Sequence, residues 1–378
     1  MDFDEAPELR TLREAARGLL GGIAAGFGPD GQGPDRATLW AAVREQDWPG
    51  LAVPEQYGGS AAPLGALAVV TGECARAALT TTLRSTTCAG LLITHHGSPE
   101  QCRRWLPRLA AGAAAAVASA GTARLTGSGG SPLDGELATV PDLDLAELVV
   151  AVLPGAGEHR LCVLEPAADQ VRSRSAVSGD PLGRLPLDGP NRLGPDQLDV
   201  GPALGPDARR HAGDLLAVLV AVDLVAAADA LLTRTTEYVR TREQFGRPLG
   251  TFQAVQHHVA NMAADLECGR LLVDDALAEL DAGRPAHRTV AAAKAFTSRA
   301  GTAISLMAHQ LHGGIGYATE SGLFRLSRRV QSDALLGGTA TEHLHELAQR
   351  YRSGPARTLE LDALDAAPLG ETVGTRSS

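Results

Sequence analysis

A chain of 378 residues, 44% hydrophobic and 21% charged, can bury more than one efficient core, which predicts a large globular protein of two or three domains. Its formal net charge of −10 excludes a general nucleic-acid surface, which needs basic side chains to meet phosphates, but not a phosphate-bearing cofactor held by a few placed arginines and helix N-termini. The longest apolar stretches, such as Leu215 to Val222, fall short of the ~20 residues that span a bilayer, and the acidic start Met1-Asp2-Phe3-Asp4-Glu5 precedes no apolar signal core, so a cytoplasmic location without a membrane segment is expected.

In chain order, apolar residues first recur at helical spacing, as in Leu9, Leu12, Ala16 and Leu19, again over Leu39 to Val43, and again over Trp105 to Leu109, predicting an all-helical domain over 1–112. Turn clusters at Trp48-Pro49-Gly50 and at Pro54 to Gly59 separate its helices. Gly97-Ser98-Pro99-Glu100 caps the next helix, with proline where a missing amide costs least. Over 113–205 the pattern changes to short β-type runs, Ala146 to Leu153 and Arg160 to Leu164, broken by Gly, Pro and Asp, which predicts a small β-domain. Its stretches Leu125 to Asp134 and Ser178 to Gly194 are expected to be poorly ordered loops. Helical periodicity returns over 206–353, beginning with a continuous segment, Ala208 to Arg242, about 50 Å long at ~1.5 Å per residue, and long helices of this kind form a bundle. The tail 354–378 is expected to be mobile near its end. The fold class is therefore α+β, helical, then β, then helical.

The sharpest motif is Tyr238-Val-Arg-Thr-Arg-Glu-Gln-Phe-Gly246 followed by Pro248-Leu-Gly-Thr-Phe-Gln253. It is supported by Gln256 to Met262, by Lys294 in an Ala-rich helix, and by Ala308-His-Gln-Leu-His-Gly-Gly-Ile-Gly-Tyr317. In the last, Gly313 and Gly314 end a helix and let backbone approach a bulky ligand, while Gln310 can both donate and accept. Together with Trp48 to Gly59 and the Gly97 to Pro107 segment, these turns resemble the acyl-CoA dehydrogenase family. The resemblance implies an N-terminal helical domain, a central β-domain, a C-terminal four-helix bundle, FAD at a subunit interface and an acyl-CoA thioester threaded between helices. It assigns Arg242, Phe245, Gln310, Gly313, Gly314 and Thr339 to cofactor binding.

The departures from that family bear on mechanism. Oxidising an acyl-CoA requires a base for the α-proton while hydride leaves the β-carbon. The family's glutamate precedes a Gly-Thr pair, matched here by Leu335-Leu336-Gly337-Gly338-Thr339, so Gly337 occupies its place. The alternative position on the first bundle helix, counted back from Tyr238, is Leu216. Asp214 then points roughly 200° around that helix, and Asp223, on the same face about 10 Å away, is the weak substitute base. The β-domain is shortened, with Val117-Ala-Ser-Ala-Gly-Thr122 and Glu136 to Pro141 where the family carries flavin-ring contacts, and no tryptophan there covers the ring.

What persists corresponds to family residues that reach a neighbouring subunit's dinucleotide. Some actinobacterial steroid-CoA dehydrogenases resemble this arrangement, pairing a degenerate subunit with a catalytic one as an α2β2 tetramer. The expectation is such a heteromeric subunit, with a paralogous partner supplying the base. A self-sufficient flavin oxidase or monooxygenase forming a homo-oligomer, and a non-catalytic scaffold, are the alternatives. His95-His96 and His257-His258 are adjacent pairs that point to different faces, so no metal site is expected. His343 and His345 follow the Gly-Gly-Thr turn and read as a shifted base or as helix-surface residues. Cys74, Cys88, Cys102, Cys162 and Cys268 read as buried small residues without a disulfide framework.

Overall fold

The computed structural model describes residues 6–26, 33–126, 133–176, 181–188 and 193–353. The tail 354–378 and, from the two expected loops, residues 127–132, 178–180 and 189–192 lie outside the described residues, whereas Pro181–Pro186 of the second expected loop forms a strand. Five helices open the chain: α1 (Pro7–Ala24), α2 (Arg36–Arg44), α3 (Leu64–Arg76), α4 (Leu83–His96) and α5 (Pro99–Ala110). Their starts follow from local chemistry. Asp35 caps α2 by accepting the Thr38 amide, and Ser98 and Gln101 form a reciprocal capping box on α5, with Pro99 at its first position. Buried Trp105, Leu106 and Leu109 then give α5 one apolar stripe, and the Trp105 indole N–H donates to Asp199 Oδ2 at 2.7 Å, tying the helix to the next region.

That region is a sandwich. Strands β1 (Ala115–Ala118), β6 (Leu148–Pro154), β7 (His159–Leu164) and β10 (Leu198–Leu204) form one sheet in that order, with β1 parallel to β6 and the rest antiparallel. Strands β2 (Ala120–Gly121), β5 (Glu136–Pro141), β9 (Pro181–Pro186) and β8 (Arg172–Ser175) form the second, and β3 (Arg124–Leu125) pairs with β4 (Leu133–Asp134). Alternation along the first sheet divides its side chains between two cores. Ala116, Val149, Ala151 and Cys162 meet the second sheet. Val117, Leu148, Val150 and Val163 meet the helices. A strand buried on both faces shows no polar alternation, which is why Ala115–Ala118 carries no strand signature in sequence.

The remaining helices are α6 (Ala208–Thr241), α7 (Gln253–Asp281), α8 (His287–His312), α9 (Leu323–Asp333) and α10 (Ala340–Ser353), with a two-strand turn, β11 (Glu243–Gln244) and β12 (Arg247–Pro248), between α6 and α7. Helix α6 is the centre, packing on α3, α4, α7, α8 and α9. Taken whole, α6 is long and apolar enough to cross a bilayer by length and composition. Most of that apolar window, 78%, is buried inside the protein, so its apolarity is used by the bundle. Cys268 departs from its expected burial, being exposed on α7, whereas the other four cysteines are buried and free.

Candidate active site and nucleotide surface

The turn at the expected base position is built from two consecutive left-handed residues, Gly337 (φ 70°) and Gly338 (φ 96°). A Cβ on Gly337 would stand 3.3 Å from Ala217 Cα and 3.7 Å from Val220 Cγ2, so the turn lies directly on α6. Lys294 and His343 pin it. Buried Lys294 of α8 donates from Nζ to Gly338 O at 2.9 Å, to Ala334 O at 3.3 Å and to Ser298 Oγ at 2.8 Å. His343 Nε2 donates to Gly337 O at 2.9 Å. Burial lowers Lys294 to about 8, only partly offset by Asp333, and burial also lowers His343. The Thr339 amide and hydroxyl both donate to Glu342 Oε2, at 2.7 and 2.9 Å, as a reciprocal cap on α10. These bonds hold the Glu342 carboxyl below its usual value.

Nothing at position 337 can take a proton, and the absent side chain leaves no hollow, because its direction is filled by α6. Gly337→Glu is therefore expected to strain the backbone and press on Ala217, weakening the protein by about 1–3 kcal/mol without conferring dehydrogenation on the chain alone. Denaturant unfolding together with acyl-CoA turnover checks this; a stable variant that turns over substrate would contradict it.

Asp223 is corrected as a substitute base. It is fully buried, accepting from Arg84 Nη1 at 2.6 Å and Arg329 Nη2 at 2.8 Å, while Asp333 meets the same two arginines at 2.9 and 3.4 Å. Burial opposes the Arg84 charge, but Asp333, Asp223 and Asp142 outweigh it and hold the guanidinium well above its usual value. A carboxylate shared between two buried arginines is a structural ion pair.

Leu216 is buried as well, but the α6 residue that meets the turn is Ala217. Asp214, three residues earlier, lies on Ala217's face, one helical turn away. Its Oδ1 accepts from His287 Nδ1 at 2.8 Å, and His287 Nε2 lies 2.9 Å from Glu346 Oε1 although it is not aligned for a hydrogen bond. Asp214, His287 and Glu346 thus link α6, α8 and α10 beside the turn. Counting from Leu216 pointed Asp214 the wrong way; counting from Ala217 would have found it.

The other expected cofactor residues gather elsewhere. Tyr238, one turn before the end of α6, stacks on His312 at 4.3 Å and donates from its hydroxyl to His312 O at 3.4 Å, which brings the ends of α6 and α8 together. Arg242 follows α6 and is exposed, with no side-chain partner among the described residues. Phe245 sits at the tip of the β11–β12 turn at φ 53° and is 91% exposed, its ring edge-on to Phe252 at 6.0 Å. Gln310 is exposed near the end of α8, and added Cβ atoms on Gly313 and Gly314 would meet nothing within 4 Å. The ends of α6 and α8 thus bring an uncovered phenylalanine, an arginine without a side-chain partner among the described residues, and glycines facing open space onto one exposed cradle. Thr339 is not in this group: it lies by Lys294, and ~1.5 Å per residue along α8 separates Lys294 from Gln310 by roughly 24 Å.

Exposed large apolar side chains of the C-terminal region include Leu306, Ile315, Tyr317, Leu335 and Leu344. His95 and His96 do not stand apart as their sequence adjacency implied. His211 of α6 comes between them, sharing a 2.9 Å hydrogen bond with His96.

The family model for the acyl-CoA dehydrogenase N-terminal domain matches residues 7–113, and that for the C-terminal domain matches 214–351. The chain belongs to the acyl-CoA dehydrogenase family. Acyl-CoA dehydrogenase IpdE2 of Mycobacterium tuberculosis is 28% identical over 323 residues, 84% of this chain and 88% of its own. Among solved structures, the Tcur3481-Tcur3483 steroid ACAD G363A variant superposes with a TM-score of 0.81 at 28% identity, over 92% of this chain and 98% of that one. The ChsE4-ChsE5 complex from Mycobacterium tuberculosis reaches 0.84 at 22% identity, over 94% and 100%, a likeness of fold. Acyl-CoA dehydrogenases are FAD-dependent oxidoreductases acting on the CH–CH bond of acyl-CoA thioesters. The open cradle at Arg242, Phe245, Gln310, Gly313 and Gly314 fits part of such a dinucleotide.

Proposed function

We propose that this chain is the base-lacking subunit of a cytoplasmic, heteromeric α2β2 acyl-CoA dehydrogenase that desaturates a bulky, steroid-derived acyl-CoA between its α- and β-carbons. The observation that carries this reading is the Gly337-Gly338 turn: it is closed against α6 and pinned by Lys294 and His343, so the α-proton has no acceptor at the family position. The partner subunit supplies the base. This chain supplies its exposed cradle, where Arg242 pairs with pyrophosphate oxygens, Phe245 covers a flat ring and Gln310 hydrogen-bonds. When bound, FAD supplies the acceptor for the hydride leaving the β-carbon. The steroid-type substrate rests on the relatives' names, since position 337 gives no added room.

Expression of the chain alone and together with a base-carrying paralogue encoded beside it tests the reading. Alone, the protein is expected to purify colourless and inactive. Together they are expected to form a yellow heterotetramer with about one FAD per pair of chains, the shared-site stoichiometry a cradle open on one side implies, and to prefer polycyclic over short straight-chain acyl-CoA. Full flavin occupancy and turnover by the single chain would sink the proposal.

A further inference from the structure

Three imidazoles meet where the end of α4 faces the start of α6. His96 Nε2 and His211 Nδ1 share a hydrogen bond of 2.9 Å, and the His211 ring centre lies 5.0 Å from that of His96 and 5.2 Å from that of His95, edge-on to both. His95 is exposed, whereas His96 and His211 are half-buried. Ile93 and Ala208, three residues before His96 and His211 and so on the same helix faces, both belong to the buried core. The contact therefore closes the end of α4 against the start of the bundle over that core. Among the described residues, the titratable groups whose charge bears on the rings are the three histidines themselves and Asp214 of α6. Asp214 is already engaged, since its Oδ1 accepts from His287 Nδ1 at 2.8 Å.

A hydrogen bond between two imidazoles needs one N–H and one lone pair. It survives one added proton, because an imidazolium still donates to a neutral ring, but two cations would turn an N–H on each toward the other. We propose that His95, His96 and His211 form an acid-sensitive latch between α4 and α6, closed while the rings share at most one added proton and opened when mild acid supplies a second. Burial, with His211 and His95 beside it, pushes His96 down to about 4, and burial also lowers His211. An unfolded imidazole titrates near 6.5, so below that pH the unfolded chain takes up protons that the folded one refuses. The latch's contribution to stability is complete above about 6.5 and is lost as pH falls toward about 4. A cation on His211 would also draw on Asp214, which ties the latch to the Asp214–His287 bond beside the Gly337 turn.

The test is denaturant unfolding of the purified protein, as the heterotetramer where a partner co-purifies, between about pH 7 and pH 5. Over that range the parent is expected to lose about tenfold or more of its folding equilibrium constant. His96→Gln and His211→Asn should each flatten the loss, whereas His258→Gln, on an exposed histidine of α7, should leave it as in the parent. Burial lowers His312 and His343 as well, but both are present in every variant, so the difference between profiles reports the latch. A second measurement needs no variant: NMR of the parent carrying labelled histidine, with amide hydrogen exchange. His96 is expected to titrate well below the ordinary imidazole range, with exchange at the end of α4 and the start of α6 speeding as pH falls. A His96→Gln profile parallel to the parent, a His96 midpoint in the ordinary range, or exchange there that ignores pH would overturn the proposal.

Discussion

Replacing Asp223 by alanine is expected to destabilise the protein by about 3–5 kcal/mol, the usual penalty for removing one partner from a buried ion pair. Arg84 and Arg329 would be left with Asp333 as the nearest carboxylate between them, inside a core where α4, α6 and α9 meet. The cost comes from the uncompensated charge and not from lost packing, so Asp223→Asn, which keeps an acceptor oxygen but not the charge, should fall between alanine and the parent. Denaturant unfolding of the purified protein measures the series. The same variants separate a structural from a catalytic role. A base would lose turnover as asparagine with stability intact; an ion-pair member loses stability while the folded fraction keeps its activity in the partnered complex. Asparagine that unfolds like the parent but abolishes turnover would restore Asp223 as a base.

The order of helical, β and helical regions was legible because each follows from periodicity within a short window. Helix caps such as Ser98 with Gln101 need only neighbours three residues apart. The sandwich was legible only as two runs, since Ala115–Ala118, Ala-rich and covered on both faces, carries no alternation and Ala120–Gly121 is too short to show any. At the site, what escaped the sequence was pairing across distance. Asp223 looked available because its arginine partners lie 139 and 106 residues away, and His95 with His96 looked idle because His211 is remote in the chain. The choice of Leu216 was a register problem: one residue of rotation, about 100°, exchanges Leu216 for Ala217 and brings Asp214 from the far side of the helix to the side of the turn. The proposed nucleotide cradle depends, in contrast, on spacing along the chain, since Arg242 to Phe245 form one local turn.

Arg242→Ala, introduced into the partnered complex, is expected to weaken FAD binding by about 10–100-fold, the equivalent of one or two charge-assisted hydrogen bonds at 1.4 kcal/mol per factor of ten. The side chain is exposed and has no partner among the described residues, so the heterotetramer should assemble and unfold as before. Phe245→Ala should act in the same direction but more weakly, because an exposed ring contributes area and stacking without charge. Flavin absorbance after gel filtration, with activity recovered on adding excess FAD, reads both variants. Recovery by FAD is the discriminating step. A chain that merely scaffolds its partner would let Arg242→Ala keep its full flavin and turnover, and the cradle would then be an empty vestige of the fold. A chain that shares the site loses colour at dilution and regains it by mass action, which locates half of the dinucleotide's contacts on a subunit that has no base to offer.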